Sequence, residues 1–129
     1  MWNDFRDYIL SEIQDKPTKI AEVGVGKFSA IADELSKKEN ITLIKTDILP
    51  ADDTVVKDDI TNPNLDLYKD TDIIYSIRPP SELQPYIVKL AQTVDAQLII
   101  KPLTNEDLNT GRVKMKLKNF KKASFYTLR

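Results

Sequence analysis

The sequence contains no cysteine and no histidine, and it has only 3 glycines in 129 residues. The absence of cysteine excludes disulfide bonds and thiolate chemistry. The absence of histidine removes the usual general base and the commonest metal ligand, so no metal site is predicted. Any proton transfer would have to use Asp, Glu, Lys, Tyr or water.

Long apolar runs are also absent. No stretch approaches the roughly 20 residues that a membrane-spanning helix needs. The amino-terminal segment MWNDFRDYILSEIQDK carries acidic residues where a signal peptide would have its apolar core. We therefore expect a cytoplasmic protein with no membrane association. Its length and its 41% hydrophobic and 30% charged content predict one globular domain spanning residues 1–129.

The spacing of apolar residues predicts alternating helices and strands. Residues 19–103 are expected to form five parallel strands, with a turn or a single helical turn between Thr61 and Asp70 and a short helical turn after Thr104. Residues 113–128 are expected to form an antiparallel pair at one edge. The predicted fold is α/β, a Rossmann-like and mostly parallel sheet with helices on both faces and an antiparallel C-terminal edge hairpin.

A glycine turn follows the first predicted strand, in AEVGVGKFSAIADEL. Gly24 and Gly26 permit positive φ and a close backbone approach to a ligand. Asp47 follows Gly26 by 21 residues, at the end of the second strand, where an acid can hydrogen-bond ribose hydroxyls. The structural alternative is a tight turn beside a solvated strand end.

Two cofactor classes fit this turn unequally. Glu22, two residues before Gly24, could hold the cationic amino group of S-adenosylmethionine but would sit poorly beside a pyrophosphate. Ser29 stands where a dinucleotide-binding motif has its third glycine, although Lys27 would suit a pyrophosphate.

The stretch DIIYSIRPPSELQ places a charged, rigid corner after a buried strand. Arg78, Pro79 and Pro80 are expected to face the same crevice as the glycine turn, because ligands bind outside the carboxyl ends of parallel strands. A guanidinium held there suits a phosphate or carboxylate. The alternative is an ion pair that pins the loop, with Asp58, Asp59 or Glu82 as the partner.

The net charge of −1 conceals a basic C-terminal segment. Residues 112–129 contain no acid and seven basic residues, which are Arg112, Lys114, Lys116, Lys118, Lys121, Lys122 and Arg129. On a hairpin they could track an RNA backbone, with Phe120, Phe125 and Tyr126 stacking on bases. We favour the alternative, in which lysines protect an edge strand from aggregation and the aromatic rings belong to the core.

The segments EVGVGKFS, TDILP, DDITNP, YSIRPPSELQ and LIIKPLTNEDL, in this order, resemble a small uncharacterised archaeal protein family. That family is similar in its Rossmann core to class I S-adenosylmethionine-dependent methyltransferases. The resemblance implies that Glu22, Gly24 and Gly26 match the first methyltransferase motif and Asp47 the ribose-binding acid. It also implies that Asp58, Asp59 and Ile60 flank the adenine. Phe28 departs from the pattern, since many methyltransferases have a third glycine there.

Three functional hypotheses remain open. The first is a minimal methyltransferase-like domain that binds S-adenosylmethionine, with an anionic or RNA-like partner near Arg78. Its catalytic base is unknown, and Asp59, Tyr75 and Glu82 are the candidates. The second is a non-catalytic Rossmann-like module that binds nucleic acid or a protein. The third is an NAD-type protein. The short chain leaves little room for a substrate-recognition domain, which favours the second hypothesis or a homo-oligomer.

Overall fold

A computed structural model describes residues 2–102 and 108–129. The helical turn expected after Thr104 lies largely outside the described residues. Four helices and seven strands follow one another as α1 (Trp2–Ile13), β1 (Thr18–Val23), α2 (Ala30–Ser36), β2 (Ile41–Asp47), β3 (Val56–Lys57), α3 (Leu65–Tyr68), β4 (Ile73–Ile77), α4 (Gln84–Thr93), β5 (Gln97–Lys101), β6 (Lys116–Phe120) and β7 (Ala123–Leu128).

The strands form one sheet in the order β3-β2-β1-β4-β5-β7-β6. The first five strands are parallel, whereas β7 runs antiparallel to β5 and to β6. This order confirms the predicted α/β fold with its antiparallel C-terminal edge. The chain reverses its direction of progress across the sheet between β1 and β4, and such a switch point opens a crevice at the carboxyl ends of the strands.

Helices cover both faces of the sheet because buried strands alternate apolar side chains between the two faces. On one face, α1 and α2 pack against a core that includes Phe5, Tyr75 and Phe125. On the other face, α3 and α4 pack against a second core that includes Tyr68 and Ile74. In the part of the chain that the structure describes, no helix is long and apolar enough to cross a lipid bilayer.

Several element boundaries differ from those expected. Strand β3 is only two residues long because it pairs solely with the last two residues of β2. The helical spacing of Phe28, Ile31, Ala32 and Leu35 predicts a helix from Phe28, but α2 begins at Ala30, and a 3-10 turn at Ser81–Leu83 precedes α4. The strict alternation from Val113 predicted a strand there, but a turn at Gly111 precedes it. Val113 N–H donates to Thr110 O at 3.3 Å, so the β6 ladder starts only at Lys116.

Candidate functional site

A cavity of about 440 Å³ lies at the carboxyl ends of the parallel strands. It opens on the sheet face that α3 and α4 cover, as its contacts with Tyr68 and Ile87 show. Its walls come from the ends of β1, β2 and β4, the loop after β3 and the start of α4. The lining residues are Val23, Gly24, Thr46, Asp47, Ile48, Asp58, Asp59, Ile60, Thr61, Tyr68, Ser76, Arg78, Pro79, Pro80, Leu83 and Ile87.

The glycine turn is held by the end of β2. Gly24 and Gly26 have φ angles of 70° and 57°, a region that L side chains adopt at a cost. The Gly24 and Val25 amides both donate to Thr46 O, at 2.9 and 3.2 Å. The Gly26 amide donates to Asp47 Oδ2 at 2.8 Å. Gly24 lines the cavity, whereas Gly26 is connected to it through Asp47. With these amides already bonded, the turn offers little to a pyrophosphate.

Asp47 therefore joins two parts of the site. Its Oδ2 accepts from Gly26, and its Oδ1 accepts from the Leu49 amide at 2.9 Å. The carboxylate lines the cavity and is partly exposed. Since a carboxylate can accept about four hydrogen bonds, two acceptor positions remain for a ligand.

The loop after β3 contributes Asp58, Asp59 and Ile60 to the same wall. Asp58 Oδ1 accepts from the Asn64 amide at 2.9 Å. Asp59 accepts from both the amide and the hydroxyl of Thr61, and these hydrogen bonds lower the pKa of Asp59. The structure thus gathers the predicted loop residues beside Asp47.

Sequence reasoning did not identify the buried Tyr68. Its hydroxyl donates to Asp58 Oδ2 at 2.8 Å and lies 2.9 Å from Thr46 Oγ1. Burial raises the pKa of Tyr68, so the hydroxyl stays protonated as a donor. Tyr68 lies in a four-residue helix in a polar segment, and no local pattern marked it as part of the site.

The Arg78 corner borders the cavity, and its backbone is constrained. Arg78 has a φ of 53°, and its amide donates to Lys101 O at 2.6 Å. The buried Gln84 side chain donates to Pro79 O at 3.2 Å and accepts from the Asn109 amide at 2.7 Å. Within the described residues, five non-glycine residues have positive φ, and only Arg78 directly follows a strand of the parallel sheet. Such strain at a ligand cleft is often associated with function.

The Arg78 side chain contacts aromatic rings rather than acids. Its guanidinium carbon lies 5.2 Å from the ring centre of Trp2 and 5.5 Å from that of Phe28. Among residues 2–102 and 108–129, no carboxylate lies within ion-pair distance of Arg78, so the pairing with Asp58, Asp59 or Glu82 that was the alternative interpretation is not formed. Phe28 packs on Trp2 with ring centres 4.7 Å apart, and it does not line the cavity.

Glu22 lies away from the cavity walls, on the strand face that α1 and α2 cover. It is 1% exposed, and its Oε1 accepts a 2.7 Å hydrogen bond from the Tyr75 hydroxyl. Its other oxygen, Oε2, is buried with no partner in the described structure. Burial raises the pKa of Glu22 from 4.5 to about 8, because the charged form loses water.

The candidate bases differ in access. Tyr75 is completely buried and bonded to Glu22, and burial raises its pKa well above the usual value, so it is unsuited to accept a proton from a substrate. Asp59 lines the cavity, whereas Glu82 is exposed outside it.

The basic hairpin is an edge feature. Lys116 and Lys118 are exposed on β6, the last strand of the sheet. Phe125 is fully buried and Phe120 packs against Tyr8 with ring centres 5.5 Å apart, so neither ring is available to stack on a base. Tyr126 is half-buried, and both interpretations of the basic residues, RNA binding and edge protection, stay predictions.

The family model for the Uncharacterised protein family UPF0146 matches residues 2–129. This chain belongs to that family. It is 44% identical over 126 residues to the UPF0146 protein of Methanothermobacter thermautotrophicus. The alignment covers 98% of this chain and 93% of that protein. The resemblance to an archaeal family, drawn from the Arg-Pro-Pro stretch and its neighbours, is therefore confirmed.

Solved structures show the same fold at low sequence identity. An S-adenosyl-L-methionine methyltransferase from Silicibacter pomeroyi aligns with a TM-score of 0.66 and 8% identity, over 98% of this chain and 91% of that one. Magnesium protoporphyrin IX methyltransferase from Synechocystis, solved with bound S-adenosylmethionine, aligns at 0.56 and 11%, over 98% and 75%. The chain therefore has a methyltransferase-like Rossmann fold.

Proposed function

We propose that this protein binds S-adenosylmethionine in the cavity at the β1–β4 switch point and acts as a methyltransferase on an anionic or RNA-like substrate. One observation carries the proposal. The cavity brings Gly24, Asp47 and the loop 58–60 together, in a fold shared with proteins that bind this cofactor.

The residues present fit an adenosyl group. A volume of about 440 Å³ falls within the range of small-molecule sites, roughly 300–1,000 Å³. Asp47 keeps acceptor positions for ribose hydroxyls. Ile48, Ile60 and Ile87 provide apolar walls suited to the flat faces of a base. Asp58, whose Oδ2 accepts the Tyr68 hydroxyl, offers a further hydrogen-bond acceptor in the cavity wall.

The role of Glu22 stays a prediction. An ammonium group near its partnerless Oε2 would favour the ionised carboxylate, whereas burial favours the neutral acid. Glu22 is not part of the cavity wall, to which β1 and β4 contribute Val23 and Ser76, and Gly24 follows β1 in the same wall.

When bound, S-adenosylmethionine supplies an electrophilic methyl group. The contribution of the chain is then to hold donor and acceptor in line, which can provide most of the acceleration without a metal or histidine. Arg78 stands where such a substrate would enter and, as a pure donor, suits an anionic one.

Isothermal titration of the protein with S-adenosylmethionine, S-adenosylhomocysteine and NAD tests the proposal. We expect both adenosyl ligands to bind and NAD to bind at least ten-fold more weakly, because the glycine-turn amides are already bonded. Absence of adenosyl binding would overturn the proposal. Tight NAD binding would instead support the dinucleotide hypothesis.

A non-catalytic binding module remains the second candidate, because each described acid that lines the cavity, Asp47, Asp58 and Asp59, already accepts hydrogen bonds from the protein. Transfer of a labelled methyl group to archaeal RNA or to small phosphate esters separates the two. Binding without transfer to any acceptor would favour the module.

A further inference from the structure

A second cation, Lys101, lies at the strand end next to Arg78. Lys101 ends β5, opposite Ile77 of β4 in the parallel register, and its carbonyl accepts the Arg78 amide hydrogen at 2.6 Å. By strand alternation, Lys101 shares the sheet face of Ile99, the face that α1 covers. The two cations therefore come from neighbouring strand ends.

Aromatic rings orient the guanidinium without using its hydrogen-bond donors. The guanidinium carbon of Arg78 lies 5.2 and 5.5 Å from the ring centres of Trp2 and Phe28, within the range of cation–π contacts. A guanidinium has five N–H donors along its edge, in a fork that matches two oxygens of one anion. No Arg78 side-chain hydrogen bond occurs within residues 2–102 and 108–129, so this edge is available to a ligand.

The surroundings of Lys101 disfavour its positive charge. Partial burial lowers the pKa of Lys101, and repulsion from Arg78 lowers it further. Two cations side by side destabilise each other, and an anion shared between them would relieve that repulsion. Arg78 also has a strained backbone, so both residues are held at a cost at one location.

We propose that Arg78 and Lys101 form a subsite for a phosphomonoester group, the dianionic phosphate at the end of a molecule rather than the diester within a nucleic-acid backbone. Arg78 also lines the adenosyl cavity, so a role of this subsite in holding the substrate rests on the proposed function, whereas phosphate binding by the two cations does not depend on it.

Charge favours a monoester over a diester. A phosphodiester carries one negative charge and leaves one of the two cations uncompensated. A phosphomonoester carries nearly two charges at neutral pH and three terminal oxygens, enough to serve a guanidinium fork and an ammonium together. The subsite therefore favours the monoester, because its second negative charge is balanced by the positive charge of Lys101.

Fluorescence offers a direct test because the chain has a single tryptophan, and this residue, Trp2, contacts Arg78. Wild-type protein is titrated at pH 7.5 with methyl phosphate and with dimethyl phosphate, without any adenosyl ligand. We expect methyl phosphate to change the emission and to bind at least ten-fold more tightly. Equal affinity for the two esters, or no binding of either, would overturn the proposal, and this comparison needs no variant.

Variants assign the effect to residues. Lys101→Gln should lower the affinity for methyl phosphate about ten-fold and leave dimethyl phosphate nearly unchanged. Arg78→Gln should abolish both. Lys114→Gln, which removes an equal charge from the exposed hairpin, is the matched control and should behave like the wild type. Retained monoester preference in a folded Lys101→Gln protein would contradict the role of Lys101.

The source of the phosphate is distinguished by comparing 5′-phosphorylated and 5′-hydroxyl forms of one short RNA with ribose 5-phosphate. Preference for the phosphorylated RNA over both others indicates an RNA terminus, and comparable binding of ribose 5-phosphate indicates a small ester. Binding of both RNA forms alike would overturn the proposal. If methyl phosphate binds but S-adenosylmethionine does not, the proposed function fails and the subsite stands.

Discussion

The Tyr75 hydroxyl donates a 2.7 Å hydrogen bond to Glu22 between the neighbouring strands β4 and β1, where both side chains are buried. The pair combines a phenol that keeps its proton with a carboxyl whose pKa is raised from 4.5 to about 8. Burial is the main cause of this raised pKa, and Asp33 adds to it, whereas the Tyr75 hydrogen bond and Lys45 favour the charged form of Glu22 but are outweighed. The folded protein thus retains a proton on Glu22 that the unfolded chain releases.

This pair predicts a loss of stability with rising pH. Between about pH 4.5 and 8 the folded state binds more protons at Glu22 than the unfolded state, so the free energy of unfolding falls as pH rises. The slope from this residue is at most about 1.4 kcal/mol per pH unit. Urea unfolding at pH 5, 6, 7 and 8 measures it. Glu22→Gln should flatten the profile, and Glu39→Gln, at an exposed position, serves as control. Parallel profiles for wild type and Glu22→Gln would show that Glu22 is not the cause.

Asp47→Ala is expected to weaken S-adenosylmethionine binding by roughly 1–3 kcal/mol, through loss of charged hydrogen bonds to the ligand. The same change frees the Gly26 and Leu49 amides, so the turn also loosens. Calorimetric titration measures the affinity. Asp53→Ala, an exposed acid of the neighbouring loop, should bind normally. Unchanged affinity in a folded Asp47→Ala protein would make Asp47 a structural tie alone.

Arg78 should be dispensable for folding. Arg78→Gln loses the aromatic contacts, which at an exposed position are worth about 0.5–1 kcal/mol. Arg78→Gly loses the same contacts but relieves the positive φ, so its stability should remain within about 1 kcal/mol of the wild type. Thermal melts compare the two. If both variants lost several kcal/mol of unfolding free energy, Arg78 would instead be required for the stability of the fold.

Tyr68→Phe tests the support of the cavity floor. Removal of the hydroxyl leaves Asp58 Oδ2 and Thr46 Oγ1 without this partner, at an expected cost of about 1–3 kcal/mol. Because Asp58 then keeps only the hydrogen bond from the Asn64 amide, we expect the affinity for the adenosyl ligand to fall as well. Tyr86→Phe, at a half-exposed tyrosine with no hydroxyl hydrogen bond in the described structure, is the matched control. Full affinity and stability in Tyr68→Phe would show that the network contributes little.

The edge lysines should control association rather than folding. In the double variant Lys116→Thr, Lys118→Thr, the exposed β6 ladder loses its charges beside the exposed Leu117. We expect this variant to melt normally but to elute as larger species in size-exclusion chromatography. Replacing the exposed Lys37 and Lys38, which follow α2, by threonine removes the same charge outside any strand and should leave the elution unchanged. A monomeric double variant would argue against edge protection.

Local pattern was sufficient for most of the fold. Alternation and helical spacing depend on which neighbours along the chain are buried, and they identified the five parallel strands and the hairpin edge. Glycine and proline act on their own backbone, so the turn at Gly24 and the corner at Pro79 and Pro80 were also visible. The pattern misplaced the start of β6, because the turn at Gly111 competes with the strand ladder.

Only the tertiary structure decided the partners of the site residues. Glu22 and Tyr75 are 53 residues apart, and their contact exists because the strand order places β1 beside β4. Alternation along β1 places Glu22 on one face of the sheet, and the packing of the helices places the cavity on the other. Arg78 contacts Trp2 rather than an acid because α1 packs against this face of the sheet. Sequence patterns report local burial, whereas contacts between distant strands and helices depend on how the faces pack.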